Sequence, residues 1–282
     1  LIVPAGPGGS HDLTGRVFTS VIPAYLGQAM IIKLVPGAAG QVGSAQAAKA
    51  PADGYTLLYS ADLIDQLPQY TTKPPYSPDD FISVAQINTQ SQSLIVRSDS
   101  AIKSYKDLVA AVKQANGAMK FVHSGRWGPS FIVGARLAQK ESLKFNYTAF
   151  RGGGPSMRAL LAGDGDFSAQ AASVISSQAG KVRPLASAGN KRLFKDVPTF
   201  VELGYPEDMG VLRRVVFAPK GVPADRLRVL REAFSKMQSD KTYKRLMTRV
   251  GANLEFMDGA SYEKLRPDQG QFYKTLVNNL TK

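Results

Sequence analysis

The residues with the most chemical content stand near the start of the chain, at Pro4-Ala5-Gly6-Pro7-Gly8-Gly9-Ser10-His11-Asp12. An apolar run, Leu1-Ile2-Val3, leads into them, and a helical pattern begins near Asp12. Glycine has no Cβ, so backbone amides there can come close to a ligand. The N–H groups that open a helix have no partner within it and attract an anion. The loop therefore reads as a cradle for a small carboxylate or phosphate. It lacks the Gly-Lys-Ser/Thr ending of a nucleotide-binding P-loop. An ordinary strand-to-helix turn would use the same residues, and spacing alone leaves both readings open.

Two further junctions repeat this logic. Ser124-Gly125-Arg126-Trp127-Gly128-Pro129-Ser130 joins a strand pattern to a helix pattern, with Pro129 and Ser130 suited to a helix start. Arg126 offers a charge clamp and Trp127 a stacking face, although the only tryptophan could equally pack at a domain surface. At Phe150-Arg151-Gly152-Gly153-Gly154-Pro155-Ser156, Arg151 either pairs with an acidic ligand group or is a plain surface arginine. Arg213 and Arg214 read as hinge residues or a solvated pair.

Catalytic patterns are missing. His11 and His123 are the only histidines, and no His-Glu-x-x-His or Asp-rich calcium loop occurs. Ser10, His11 and Asp12 have the residue types of a hydrolase triad, but sequence neighbours cannot form one relay, and no Gly-x-Ser-x-Gly elbow exists. Gly37, Gly40 and Gly43 have the wrong spacing for a dinucleotide fingerprint. Neither an enzyme nor a metal or cofactor site is expected.

The elements that must position these loops alternate. Strands are expected at Leu1–Pro4, Ala29–Val35, Tyr55–Ser60 and Ile82–Asn88, with helices at Leu13–Leu26 and Ser44–Lys49. This order implies a largely parallel sheet with helices on both faces, and both glycine loops at the carboxyl edge where ligands bind. A second unit begins near Ser100, with strands at Lys120–His123, Asn146–Phe150, Gly165–Ala171 and Val182–Ser187. Its helices are expected at Tyr105–Gln114, Pro129–Gln139 and Pro155–Ala162. A strand into Ala218-Pro219 and helices at Ala224–Gln238, Asp240–Val250 and Tyr262–Thr281 follow. The expectation is two α/β lobes, 1–99 with 217–282 and the inserted 100–216, with a ligand cleft between them.

Composition sets the outer bounds. At 282 residues, 44% hydrophobic and 20% charged, the chain is globular and long enough for two domains. Cysteine is absent, which excludes disulfides and thiolate chemistry. No apolar run is long enough to span a bilayer. Leu1 already belongs to a strand pattern, so the natural N-terminus, with any signal peptide, is expected to precede it. The net charge of +13 favours anionic partners. The basic residues are scattered, with no aromatic-interleaved motif, so a small anion fits better than nucleic acid.

The ordered text carries a resemblance. The opening loop, Leu26-Gly27-Gln28, Pro36-Gly37-Ala38-Ala39-Gly40-Gln41-Val42-Gly43, Ala50-Pro51-Ala52-Asp53-Gly54-Tyr55, Arg151-Gly152-Gly153-Gly154-Pro155, Val197-Pro198-Thr199 and Phe217-Ala218-Pro219-Lys220-Gly221-Val222-Pro223 occur in sequence over nearly the whole chain. Together they resemble the Bug receptors of tripartite tricarboxylate transporters. The resemblance implies a periplasmic, monomeric, two-lobed periplasmic-binding-protein fold (type II-like, a Venus flytrap). It also implies a small organic carboxylate as ligand and the membrane permease as partner, with no cofactor. A transcriptional regulator's effector domain, or a sensor without transport, is the alternative.

Backbone amides of the first glycine loop and bridging water hold the carboxylate in that family. Carried over, this assigns Pro7, Gly8, Gly9, Ser10 and Asp12 to the ligand, with Ser60, Ala61 and Asp62 lining the first lobe. Ser124, Gly125, Arg126, Trp127, Arg151 and Gly152 line the second, with Ala169, Ala171 and Ser173 from the segment after Phe167. Three departures stand out: Ile32-Lys33-Leu34-Val35 replaces Glu-Asn-Arg/Lys text, Arg126-Trp127 replaces small residues, and Arg213-Arg214-Val215 replaces aromatic-x-Gly.

Overall fold

The computed structural model describes residues 1–8, 10–150, 152–189, 191–205 and 209–281. It divides into unit 1, Leu1–Thr89 with Leu212–Lys282, and unit 2, Gln90–Val211. Unit 1 begins with β1 (Ile2–Val3), α1 (Ser10–Val21), α2 (Pro23–Leu26), β2 (Lys33–Leu34), α3 (Gln41–Ala48), β3 (Leu58–Ala61), α4 (Asp62–Gln66) and α5 (Pro68–Thr71). The strand β4 (Phe81–Arg97) carries the chain into unit 2. There follow α6 (Tyr105–Ala115), β5 (Lys120–His123), α7 (Pro129–Glu141), β6 (Asn146–Ala149), α8 (Gly153–Ala162), β7 (Phe167–Ala171), α9 (Ala172–Ser176) and β8 (Val182–Ser187). The return strand β9 (Val211–Pro219) leads to α10 (Ala224–Met237), α11 (Lys241–Arg249), β10 (Met257–Asp258) and α12 (Gly259–Thr281).

In unit 1, β1 pairs in parallel with β2 and β3, while β3 meets β9, and β10 meets β4, antiparallel. In unit 2, β5 pairs in parallel with β6 and β7, and β4 meets β7 and β8 antiparallel. The sheets are thus mixed rather than largely parallel, because the long crossing strands enter against the βαβ direction. β4 also runs nine residues past the expected end at Asn88. The polar text Asn88-Thr89-Gln90-Ser91-Gln92-Ser93 looks like a strand end, yet Gln92–Arg97 pairs with β7 and β8, and backbone pairing prevails. The unit boundaries accordingly fall inside β4 and β9, at 89/90 and 211/212 rather than 99/100 and 216/217.

Strand alternation builds two apolar layers in each unit. In unit 1, Val3, Tyr59, Val216 and Ala218 face α1, α10 and α11 through Phe18, Phe234 and Tyr243. Their neighbours Ile2, Leu58, Val215 and Phe217 pack with Tyr76, Phe81 and Tyr262. In unit 2, Leu94, Val96, Phe121 and Phe167 face one layer, and Ile95 and Val122 the other. Fully burying one such side chain contributes about 1.5–3 kcal/mol, so these layers hold the loops above them in place.

Candidate functional site

The first glycine loop leaves the carboxyl end of β1 and opens α1 at Ser10, two residues before the helical pattern was expected. Gly8 has φ +72°, a left-handed conformation that favours glycine. A Cβ at Gly6 or Gly8 would meet nothing within 4 Å, so this side of the loop is open. Gly9 lies outside the described residues. The second glycine loop follows β2, parallel to β1, and so reaches the same edge. Its Gly43 has a packing role: a Cβ there would stand 2.9 Å from Pro4 Cβ and 2.8 Å from the Val35 carbonyl.

Asp12 is buried and faces inward. Its Oδ2 accepts the Gly8 N–H at 2.8 Å, and its Oδ1 pairs with Arg16 Nε at 2.8 Å. Through Oδ2, Asp12 braces the loop from within. The Gly8 amide is turned to Asp12, and Pro7 has no N–H, so neither supplies the donor expected of it. Ser10, half-buried at the helix start, remains at the loop's mouth.

Ser60 and Ala61 end β3 and Asp62 opens α4 beside this loop, all three buried. Ser60 and Ala61 are buried opposite Val215 and Arg214. The Ser60 hydroxyl has no hydrogen-bond partner among the described residues. Asp62 accepts the N–H groups of Leu63 (2.8 Å) and Arg213 (3.1 Å). Burial pushes its pKa up to about 6, against the pull of the Arg213 guanidinium and of those N–H groups.

Arg213 and Arg214 form no solvated pair. Arg213 is half-buried, and Arg214 is 1% exposed. The Arg214 guanidinium donates to the Ser10 carbonyl (3.3 Å), Ser10 Oγ (2.5 Å) and Thr14 Oγ1 (3.2 Å). Thr14 Oγ1 in turn meets Tyr59 Oη at 2.8 Å, and Tyr59 donates to Asn88 Oδ1 at 3.0 Å. His11 lies against Tyr59, ring centroids 5.5 Å apart. Its pKa falls well below the usual value, first from burial and then from the Arg214 charge. Sequence reasoning missed Arg214, although the signal was present. Strand parity places it with Val216 and Ala218, the layer against Phe18.

In unit 2 the Ser124–Gly128 loop is braced by neutral groups. Buried Ser130 Oγ accepts the Ser124 N–H at 2.8 Å and meets Ser124 Oγ at 2.7 Å. Gly125 N–H donates to His123 Nδ1 at 3.3 Å. Trp127 holds φ +63°, costly for a bulky residue, while its ring packs edge-on against Phe131 at 5.4 Å. Arg126 is exposed, its guanidinium 5.7 Å from the Trp127 ring centre. Gly152 N–H donates to the Ser124 carbonyl at 3.2 Å, which ties the third junction to this one. Arg151 lies outside the described residues. Ala169 is fully buried in the core and cannot line a surface, whereas Ala171 and half-buried Ser173 stand where β7 passes into α9. Its neighbour Gln170 faces the other side of β7, where Nε2 donates to Ser156 Oγ and Ser168 Oγ.

Two α/β units with glycine loops at strand ends define a two-lobed periplasmic-binding-protein fold. A TctC solute binding protein from Polaromonas shares it at TM-score 0.81 and 27% identity, over 99% of this chain and 96% of that one. MatC of Rhodopseudomonas palustris, solved with bound malate, has a TM-score of 0.83 at 24% identity, covering 98% of this chain and 97% of its own. Protein BugT of Bordetella pertussis is 30% identical over 228 residues, 78% of this chain and 70% of its own length. The model of the tripartite tricarboxylate transporter family receptor (TctC) matches residues 15–281, and the chain belongs to that family. No helix among the described residues is long and apolar enough to cross a membrane.

Proposed function

We propose that the chain is a periplasmic, monomeric, non-catalytic receptor that binds a small organic carboxylate and delivers it to a membrane permease. The observation that carries this is the glycine loop of unit 1, open at Gly6 and Gly8 and feeding the N-terminus of α1. Family membership and the malate held by MatC support the same chemistry. A carboxylate at a helix N-terminus gains about 0.3–1 kcal/mol, up to about 2 when partly buried. Charge-assisted hydrogen bonds contribute roughly 1.5–3 kcal/mol each. Together with apolar burial, two or three of them reach micromolar affinity, about −8 kcal/mol.

Ser10 is the group assigned to the carboxylate, with Pro7 and Gly8 packing beside it. In unit 2, Ser124, Gly125, Arg126 and Trp127, with Gly152, are assigned to ligand contact. A ring suits Trp127, and a second carboxylate suits Arg126, so a dicarboxylate or an aromatic acid is the expected class. A thermal-shift screen of organic acids, sugars and bases tests the reading. Stabilisation by acids is expected, and stabilisation by uncharged sugars or bases alone would sink it.

A further inference from the structure

Burying a guanidinium carries a large desolvation cost, which hydrogen bonds must offset. The bonds from Arg214 to the start of α1 include one carbonyl and two hydroxyls, Ser10 O, Ser10 Oγ and Thr14 Oγ1, and the Tyr59 hydroxyl is a further partner. The first turn of that helix already carries about half a positive charge from its aligned peptide groups. Two positive sources therefore converge on one helix start, and like charges so placed repel. Asp12, the acid in the same turn, is engaged with the Gly8 N–H and with Arg16. An anion at the mouth of the loop would relieve the repulsion from both sources. His11, in the same turn, registers this field, since Arg214 adds to the burial that keeps its ring neutral.

We infer that Arg214 is a positioning residue for anion recognition. Its buried guanidinium, acting through Ser10, holds the first turn of α1 and charges the glycine loop, so that the site selects ionised carboxylates over their uncharged amides. The inference rests on the carboxylate-receptor reading of this loop. Arg213-Arg214-Val215 stands where the family resemblance leads one to expect aromatic-x-Gly. A purely structural arginine would also tie β9 to α1, but it would leave the preference for acid over amide unchanged.

The test uses isothermal titration of the full chain with formate, acetate, malate, adipate, citrate, benzoate and phthalate. The tightest-binding acid is then compared with its uncharged amide. Arg214→Gln is expected to weaken acid binding by about 10- to 100-fold, 1.4 kcal/mol for each factor of ten, while changing amide binding little. Arg214→Met, of similar volume, replaces it if the glutamine variant does not fold, as circular dichroism will show. Arg214→Lys keeps the charge but not the planar fork of donors, so acid affinity falls while the preference for acid over amide should stay within about threefold of the wild type. If neither neutral variant folds, the lysine variant decides, and a tenfold loss of that preference there overturns the inference. Equal acid-to-amide preference in wild-type and neutral variants overturns it too. A wild-type chain that binds none of the acids overturns the receptor reading, and this inference with it.

Discussion

The loops after β1 in unit 1 and after β5 in unit 2 are built to one plan, yet differ in what stands behind them. Each leaves a strand, turns on glycine and opens a helix. Behind the first lie a buried carboxylate, Asp12, and a buried guanidinium, Arg214. Behind the second lie the Ser130 hydroxyl and a chain of rings, Trp127, Phe131, Tyr147 and His123, with Arg126 left outside in solvent. A loop's own residues thus set its shape, whereas the groups beneath set its electrostatics. On the proposed function, the first loop would read charge and the second shape.

Substitutions at four positions break or sharpen this contrast. The largest effect is expected from Asp12→Ala, which strands the Gly8 N–H and Arg16; urea unfolding should show a loss of about 3 kcal/mol, with at least tenfold weaker acid binding. Asp12→Asn, which keeps an acceptor, should lose roughly half as much. Next comes Asp62, whose folded pKa of about 6 stands above the ordinary 3.8. Protonation therefore favours the folded state, so the Asp62 contribution is present below about pH 4 and lost as pH rises through about 6. Asp62→Asn should remove that slope and stabilise the chain at pH 8 by on the order of 2 kcal/mol in denaturant melts at each pH. Asp65 shifts in the same direction through burial, so the difference between wild type and variant is the quantity to read.

Smaller effects belong to the neutral loop. Ser130→Ala removes the acceptor of the Ser124 N–H and should cost about 1 kcal/mol in unfolding experiments, with the preference for acid over amide unchanged. A change in that preference would break the contrast between the loops. Arg126→Ala, at an exposed position, should move stability by less than about 0.5 kcal/mol while altering which acids bind best in titration calorimetry.

Much of this was legible in the sequence. β5 and β8 fall where the strand patterns put them, and α6, α7 and α10 within two residues, because period and capping agree there. The Ser104 and Asp107 capping box, for example, satisfies both backbone ends of the α6 start. Long-range pairing was not legible: β4 is extended by partners from distant text, and Asn88–Ser93 alone looks like a strand end. In the site, glycine spacing located the loop, but spacing says nothing of direction. It did not show that Asp12 turns inward to Gly8, nor that a charged residue within β9 faces a helix start. Arginine in a strand pattern reads as solvent-facing because burial is costly, and that prior outweighed its strand parity with Val216 and Ala218.

The placement of the two histidines gives the molecule a pair of built-in spectroscopic reporters, one beside each loop. His11 lies beneath the glycine loop, in the field of Arg214. His123 accepts from Gly125 through Nδ1, so its neutral ring carries the proton on Nε2 and titrates below the usual value through burial. With no other imidazole in the chain, two resonances in a nitrogen-edited spectrum would separate what a ligand does to the charged loop from what it does to the neutral one.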